Sequence, residues 1–142
     1  MDIVFSNEDI IEFNCMGILA IYLFGSRATD GARPESDVDL GAVFDSVTDF
    51  GTEVYGKLYD IVIRVLPREY LEKRATLGAH EVDMVFLQQA PIRLQYEATR
   101  GGVLLHESDR EKRLAYEEQV FIRHCDLKPI YEIFHHELME RI

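Results

Sequence analysis

The chain has 142 residues, of which 47% are hydrophobic and 29% charged, with a formal net charge of −11. That length and balance predict one soluble globular domain able to bury its own core without staples. So acidic a surface repels a phosphate backbone, which weighs against a nucleic-acid binder and favours a cationic partner or substrate.

The N-terminus lacks the basic and apolar segments of a signal peptide. No apolar run approaches the roughly 18 residues a spanning helix needs, so a cytoplasmic protein without a membrane segment is expected. Ser6 with Asp9 three residues on forms a capping box for a first helix. That helix runs to about Cys15, turns Ile10, Ile11 and Phe13 to the core, and ends at Gly17. Ile18 to Phe24 is an unbroken apolar run of strand length, predicting a strand buried on both faces. Gly25 and Ser26 break it, and a short turn or helix with Gly31 and Pro34 follows. Asp37 to Phe44 reads as the second strand. Over 54–66, the spacing of Val54, Leu58, Ile61, Val62 and Val65 is helical, while the β-branched Ile61 to Ile63 would also suit a strand; a helix is expected. Pro67 opens a further helix to about Leu77. Glu81 to Leu87 is the third strand, Pro91 starts a helix that Gly101 and Gly102 stop, and Val103 to His106 is a short edge strand. Ser108 and Glu111 suggest a second capping box, for a helix to about His124. A last helix from about Leu127 to Arg141 carries Leu127, Ile130, Tyr131, Phe134 and Leu138 on one stripe. Cys15 and Cys125 lack metal-type spacing and point to a reducing compartment rather than a disulfide scaffold.

The stretch from Gly25 to Asp39 carries chemistry. A buried strand ends in Gly-Ser, and ten residues later Asp37-x-Asp39 opens the next strand. Gly25 has no Cβ, so its backbone can approach an anionic group; Ser26 offers a hydroxyl and an N–H to the same group. Asp37 and Asp39 share a strand face and can hold a hard cation by oxygen, as Mg²⁺ requires. Asp83 lies within a separate apolar strand, where an unpaired carboxylate is costly and a metal would justify it. Three carboxylates with a phosphate-binding turn suggest two-metal phosphoryl or nucleotidyl transfer.

The motif resembles that of the polymerase-β-type nucleotidyltransferase superfamily. Within it, the short chain and the run Arg33 to Leu40 resemble the minimal nucleotidyltransferases, antitoxins encoded beside HEPN-domain ribonuclease toxins. Asp83, Ala90-Pro91, Arg100 to Gly102 and Asp126 to Pro129 extend the likeness over nearly the whole chain. The resemblance implies that Gly25 and Ser26, assisted by Arg27, bind the triphosphate of ATP. It implies that Asp37 and Asp39 bind two Mg²⁺ ions, and that Asp83 binds the catalytic ion and helps deprotonate the attacking hydroxyl. It also implies transfer of AMP from ATP to a tyrosine of the cognate toxin, silencing that ribonuclease within a hetero-oligomer. Thr29-Asp30-Gly31 departs from many relatives, which carry glycine earlier, and places an extra carboxylate beside the phosphate turn.

Blander readings exist for each feature. Arg27 and Arg33 are as well read as loop charges, and Arg100 as a surface charge suited to a helix C-terminus. His135 and His136 point apart on a helix and lack a third ligand. Tyr22, Tyr131 and Phe134 are simplest as core residues, and Glu117, Glu118, Glu137 and Glu140 as solvated faces. The expected fold is α/β (an α+β mixed sheet), a polymerase-β-like nucleotidyltransferase fold with a helical C-terminal tail. One domain spans 1–142, its catalytic core over about 1–107 and its C-terminal helices over about 108–142. Two other functions remain open: a small-molecule nucleotidyltransferase acting on an aminoglycoside-like cation, and a non-catalytic toxin-binding antitoxin.

Overall fold

The computed structural model describes residues 1–28, 36–45, 51–77 and 82–141, without the side chains of 73–77. Asp30, Gly31, Arg33, Pro34 and Glu81 therefore lie outside the described residues.

Helix α1 (Asn7–Met16) starts as the capping box predicts. The Asp9 N–H donates to Ser6 Oγ at 3.2 Å, and the Ser6 N–H donates to Asp9 Oδ2 at 3.0 Å. Gly17 closes the helix in the left-handed conformation at φ 76°. Asp9 and Phe13, one turn apart, face inward and are buried, whereas Ile11 is exposed rather than in the core. So short a helix buries a narrow stripe, and Ile11 lies off it. Arg64 donates to Asp9 Oδ1 at 3.1 Å and ties α1 to helix α2 (Thr52–Val65). The ambiguous segment is thus helical, burying Leu58, Ile61 and Val62. Helix α3 (Arg68–Leu77) follows Pro67.

Four strands, β1 (Ile18–Phe24), β2 (Val38–Phe44), β3 (Val82–Phe86) and β4 (Val103–Glu107), form one sheet in the order β3-β2-β1-β4. β1 pairs antiparallel with β2 and β4, and β2 pairs parallel with β3. All seven residues of β1 are buried because it is covered on both faces. On one face Ile21, Leu23, Leu40, Met84 and Phe86 pack with Phe13, Leu58 and Ile61 of α1 and α2. On the other, Tyr22, Phe24 and Val43 pack with Ala98 of helix α4 (Ile92–Gly101) and against Tyr116 of helix α5 (Arg110–Glu140).

The C-terminal region differs from expectation. Asp109, not Ser108, caps α5, accepting from the Lys112 N–H at 3.1 Å. Ser108 directly follows β4, its N–H donating to the Leu19 carbonyl at 2.9 Å. The helix then runs unbroken through Pro129, joining what reads in sequence as two helices. Proline deprives the carbonyl four residues back of its donor; Cys125 is exposed there, so water can serve instead. Glu117 is no solvated face: it accepts from the Tyr22 hydroxyl and from Arg113 Nη1, both at 2.7 Å. Burial and then Glu117 hold the Tyr22 hydroxyl far above its ordinary range, so it remains a donor. Tyr131 and Phe134 are exposed rather than in the core. Among the described residues, no helix is long and apolar enough to cross a membrane.

His106 on β4 is buried against Phe13, ring centroids 5.0 Å apart, and its Nε2 has no hydrogen-bond partner. Burial pulls its pKa below the ordinary 6.5 despite Glu107 beside it. A base with a depressed folded pKa stabilises fully above its unfolded pKa and loses that contribution as pH falls below it. Between pH 7 and pH 5, therefore, the parent should lose more stability than His106→Leu, as read from urea midpoints. Equal losses would remove His106 as a source of acid sensitivity.

Candidate active site

The site forms where β1 ends and β2 and β3 begin. Phe24 is in register with Asp39, and Asp39 with Asp83. Val38 and Val82 turn to the α1 and α2 side, so the alternating pleat sends Asp39 and Asp83 to the α4 side. Asp37 immediately precedes β2 and is half-buried, as is Asp39; Asp83 is exposed. The sequence argument that Asp83 must be a costly buried charge thus does not hold. Its flanking Val82 and Met84 are buried, and the carboxylate itself faces outward.

Chain reversal after β1 uses a 3-10 turn, Gly25–Ala28. Gly25 sits at φ 71°, a left-handed conformation that favours glycine. Any Cβ there would overlap Asp39 Oδ2 and lie 3.3 Å from Asp39 Cγ. The missing side chain at Gly25 is therefore the space occupied by the Asp39 carboxylate, and the Gly-Ser turn abuts the first acid. Ser26 is half-buried in the same turn. Arg27 donates from Nε and Nη2 to the Ser36 carbonyl at 3.2 and 2.9 Å, and its guanidinium lies 5.1 Å over the Tyr70 ring. These contacts hold the backbone just before Asp37, a positioning part that sequence alone does not suggest.

Electrostatically the three acids belong together. Burial raises the pKa of Asp39 above 3.8, and Asp83, Asp37 and Glu97 each raise it further. Glu97, exposed on α4, is the member that sequence reasoning misses; its approach depends on how α4 docks on the sheet. The carboxylates are not gathered into a closed cage: among the described residues, no three His, Cys, Asp or Glu side chains stand in position to hold a metal ion. The donor set nonetheless fits a hard divalent cation. It is all carboxylate oxygen, and its central anion is destabilised by its neighbours, which a cation would relieve.

The family model described as Polymerase beta, Nucleotidyltransferase matches residues 8–111. The chain belongs to this nucleotidyltransferase family. A search of curated proteins finds no match. Among solved structures, this nucleotidyltransferase is similar to a toxin–antitoxin with AMP-PNP, at 21% identity, 94% and 99% coverage of the two chains and a TM-score of 0.62. It is similar to the Shewanella oneidensis tri-AMPylated HEPN toxin in complex with MNT antitoxin, at 18% identity, 93% and 94% coverage and a TM-score of 0.58. A third match is the toxin–antitoxin MntA-HepT, at 18% identity, 93% and 95% coverage and a TM-score of 0.56. At these identities the likeness establishes the fold.

Proposed function

We propose that this nucleotidyltransferase is a protein adenylyltransferase antitoxin, moving AMP from Mg²⁺-ATP to a tyrosine hydroxyl of a cognate HEPN-type ribonuclease toxin and so neutralising it. The observation that carries the reading is the juxtaposition of Gly25 with Asp39, in register with Asp83 and within electrostatic reach of Asp37. Support comes from the structural neighbours, one with an ATP analogue and one an AMPylated toxin held by an antitoxin. The match to such chains over 93–94% of this one favours a hetero-oligomer with the toxin.

Asp37 and Asp39 would hold two Mg²⁺ ions, one of them shared with Asp83. When bound, the ions neutralise charge on the triphosphate and lower the pKa of the acceptor hydroxyl. The Gly25 backbone and the Ser26 hydroxyl and N–H receive phosphate oxygens. Arg27 keeps the chain entering Asp37 in place. The tyrosine oxygen attacks the α-phosphorus, a phosphodiester forms, and the bond to the departing pyrophosphate breaks. Asp83 is exposed on β3 and would take up the tyrosine proton.

The test uses ATP labelled at the α- or the γ-phosphate, with three acceptors: the protein of the neighbouring reading frame, an aminoglycoside mixture, and none. α-Label on a tyrosine of the protein, with no γ-label, is expected. α-Label on the aminoglycosides would establish the small-molecule enzyme instead. Tight binding without label would leave a non-catalytic antitoxin.

A further inference from the structure

α4 and α5 lie side by side with Tyr96 stacked on His124 at 3.7 Å and Arg100 over Phe121 at 5.3 Å. Arg93, near the start of α4, reaches the level of His124 and Lys128. Beyond there α4 has ended and α5 continues. Every residue from Ile130 to Glu140 is exposed, a projection of roughly 16 Å at 1.5 Å per residue.

This projecting part is patterned. Val120, His124, Leu127, Tyr131, Phe134 and Leu138 alternate at spacings of four and three, the a/d rhythm of a helix that packs against another helix. The early members are used within the chain: Val120 is buried, and His124 is half-buried under Tyr96. The later ones are open, Tyr131, Phe134 and Leu138 being 43%, 62% and 47% exposed. One seam thus starts in the core and runs off its end. Along one edge of the seam lies a groove of 400 Å³ lined by Arg93, His124, Lys128, Tyr131, Glu132 and His135. It holds two cations, Arg93 and Lys128, against one anion, Glu132, on a chain of net charge −11, and His124 Nδ1 is buried without a partner.

Charge decides the occupant. A second copy packed antiparallel would set Lys128 beside His135 and Ile130 beside Glu137. A parallel copy would set Arg123 beside Lys128. Neither pairing attracts, and each brings together two strongly acidic chains. We propose that the α5 seam from Leu127 to Leu138 docks an amphipathic helix of the acceptor protein, whose flanking carboxylates face Arg93 and Lys128. The proposal rests on the proposed function for the identity of the partner alone.

The test measures affinity for the neighbouring-frame protein by calorimetry, in the full chain carrying Asp37→Ala and Asp39→Ala, so that binding is read without catalysis. Tyr131→Asp with Phe134→Asp should weaken binding about 100-fold or more, and Lys128→Glu about tenfold. Ile133→Asp, equally exposed but off the seam, should change it by less than about threefold. Circular dichroism should show α5 intact in all of them. Equal loss with Ile133→Asp, no loss with the double substitution, or no binding by the parent would overturn the seam; AMP transfer in the labelling assay would still stand separately. A parent that sediments as a dimer and becomes monomeric with Phe134→Asp would make a second copy the occupant and overturn it too.

Discussion

Asp39→Asn should be inactive yet more stable than the parent. In the absence of metal, Asp39 is a half-buried anion facing Asp37, Asp83 and Glu97, and burial disfavours its charge before any neighbour is counted. Asparagine keeps the shape and removes the charge. Relief of about 1 kcal/mol would raise Tm by about 3 °C for a chain of this size. Catalysis should fall by about 10³-fold or more, because in the proposed mechanism the lost carboxylate would organise several kcal/mol of transition-state charge stabilisation. Added Mg²⁺ should raise the Tm of the parent and leave that of the variant unchanged. Calorimetry in EDTA and in Mg²⁺, beside a labelled-ATP assay, checks all three. A variant less stable than the parent in EDTA would mean that Asp39 is held by favourable contacts and not strained by like charges.

Gly25→Ala should also cost much activity, through a single methyl group. Its Cβ would stand where the Asp39 carboxylate stands, and an L-residue at φ 71° adds strain of about 1 kcal/mol. The carboxylate has to move, and the Gly25–Ser26 turn with it. We expect a loss in kcat/KM of about 10²-fold, with Tm lowered by about 3 °C. The informative measurement is a double-mutant cycle. Because Gly25 acts by leaving room for Asp39, Gly25→Ala should cost little once Asp39 is already alanine. Full additivity of the two losses would show that Gly25 serves the nucleotide independently of Asp39.

Much of this arrangement is legible before any coordinates, for physical reasons that differ by element. The apolar run Ile18 to Phe24 marks β1 because a strand covered on both faces leaves no polar positions. Helix α2 is legible from its apolar spacing even though Ile61 to Ile63 would suit a strand. The strand repeat suggests that Asp37 and Asp39 are neighbours, and Asp37 does act electrostatically on Asp39 although it stands just before β2. Other features are set by tertiary geometry. Glu97 approaches Asp39 only because α4 docks on that side of the sheet. Arg27 turns back to the Ser36 carbonyl, a contact between the turn and the segment leading into β2 that no spacing encodes. Ser108 looks like a cap, but its backbone N–H pairs with the Leu19 carbonyl and α5 starts one residue later, capped by Asp109. At Pro129 the local preference to break a helix is overridden. The stripe of Leu127, Ile130, Tyr131, Phe134 and Leu138 has helical spacing, yet Ile130, Tyr131, Phe134 and Leu138 are exposed.

The central claim is that these acids move AMP onto a protein. Intact mass spectrometry of the neighbouring-frame protein, after incubation with this chain and Mg²⁺-ATP, tests it most directly. The Asp37→Ala, Asp39→Ala double variant is the control. One or more AMP increments on a tyrosine with the parent, absent with the double variant, is the predicted result. An unchanged mass with the parent, while the double variant still binds the same protein tightly, would contradict it.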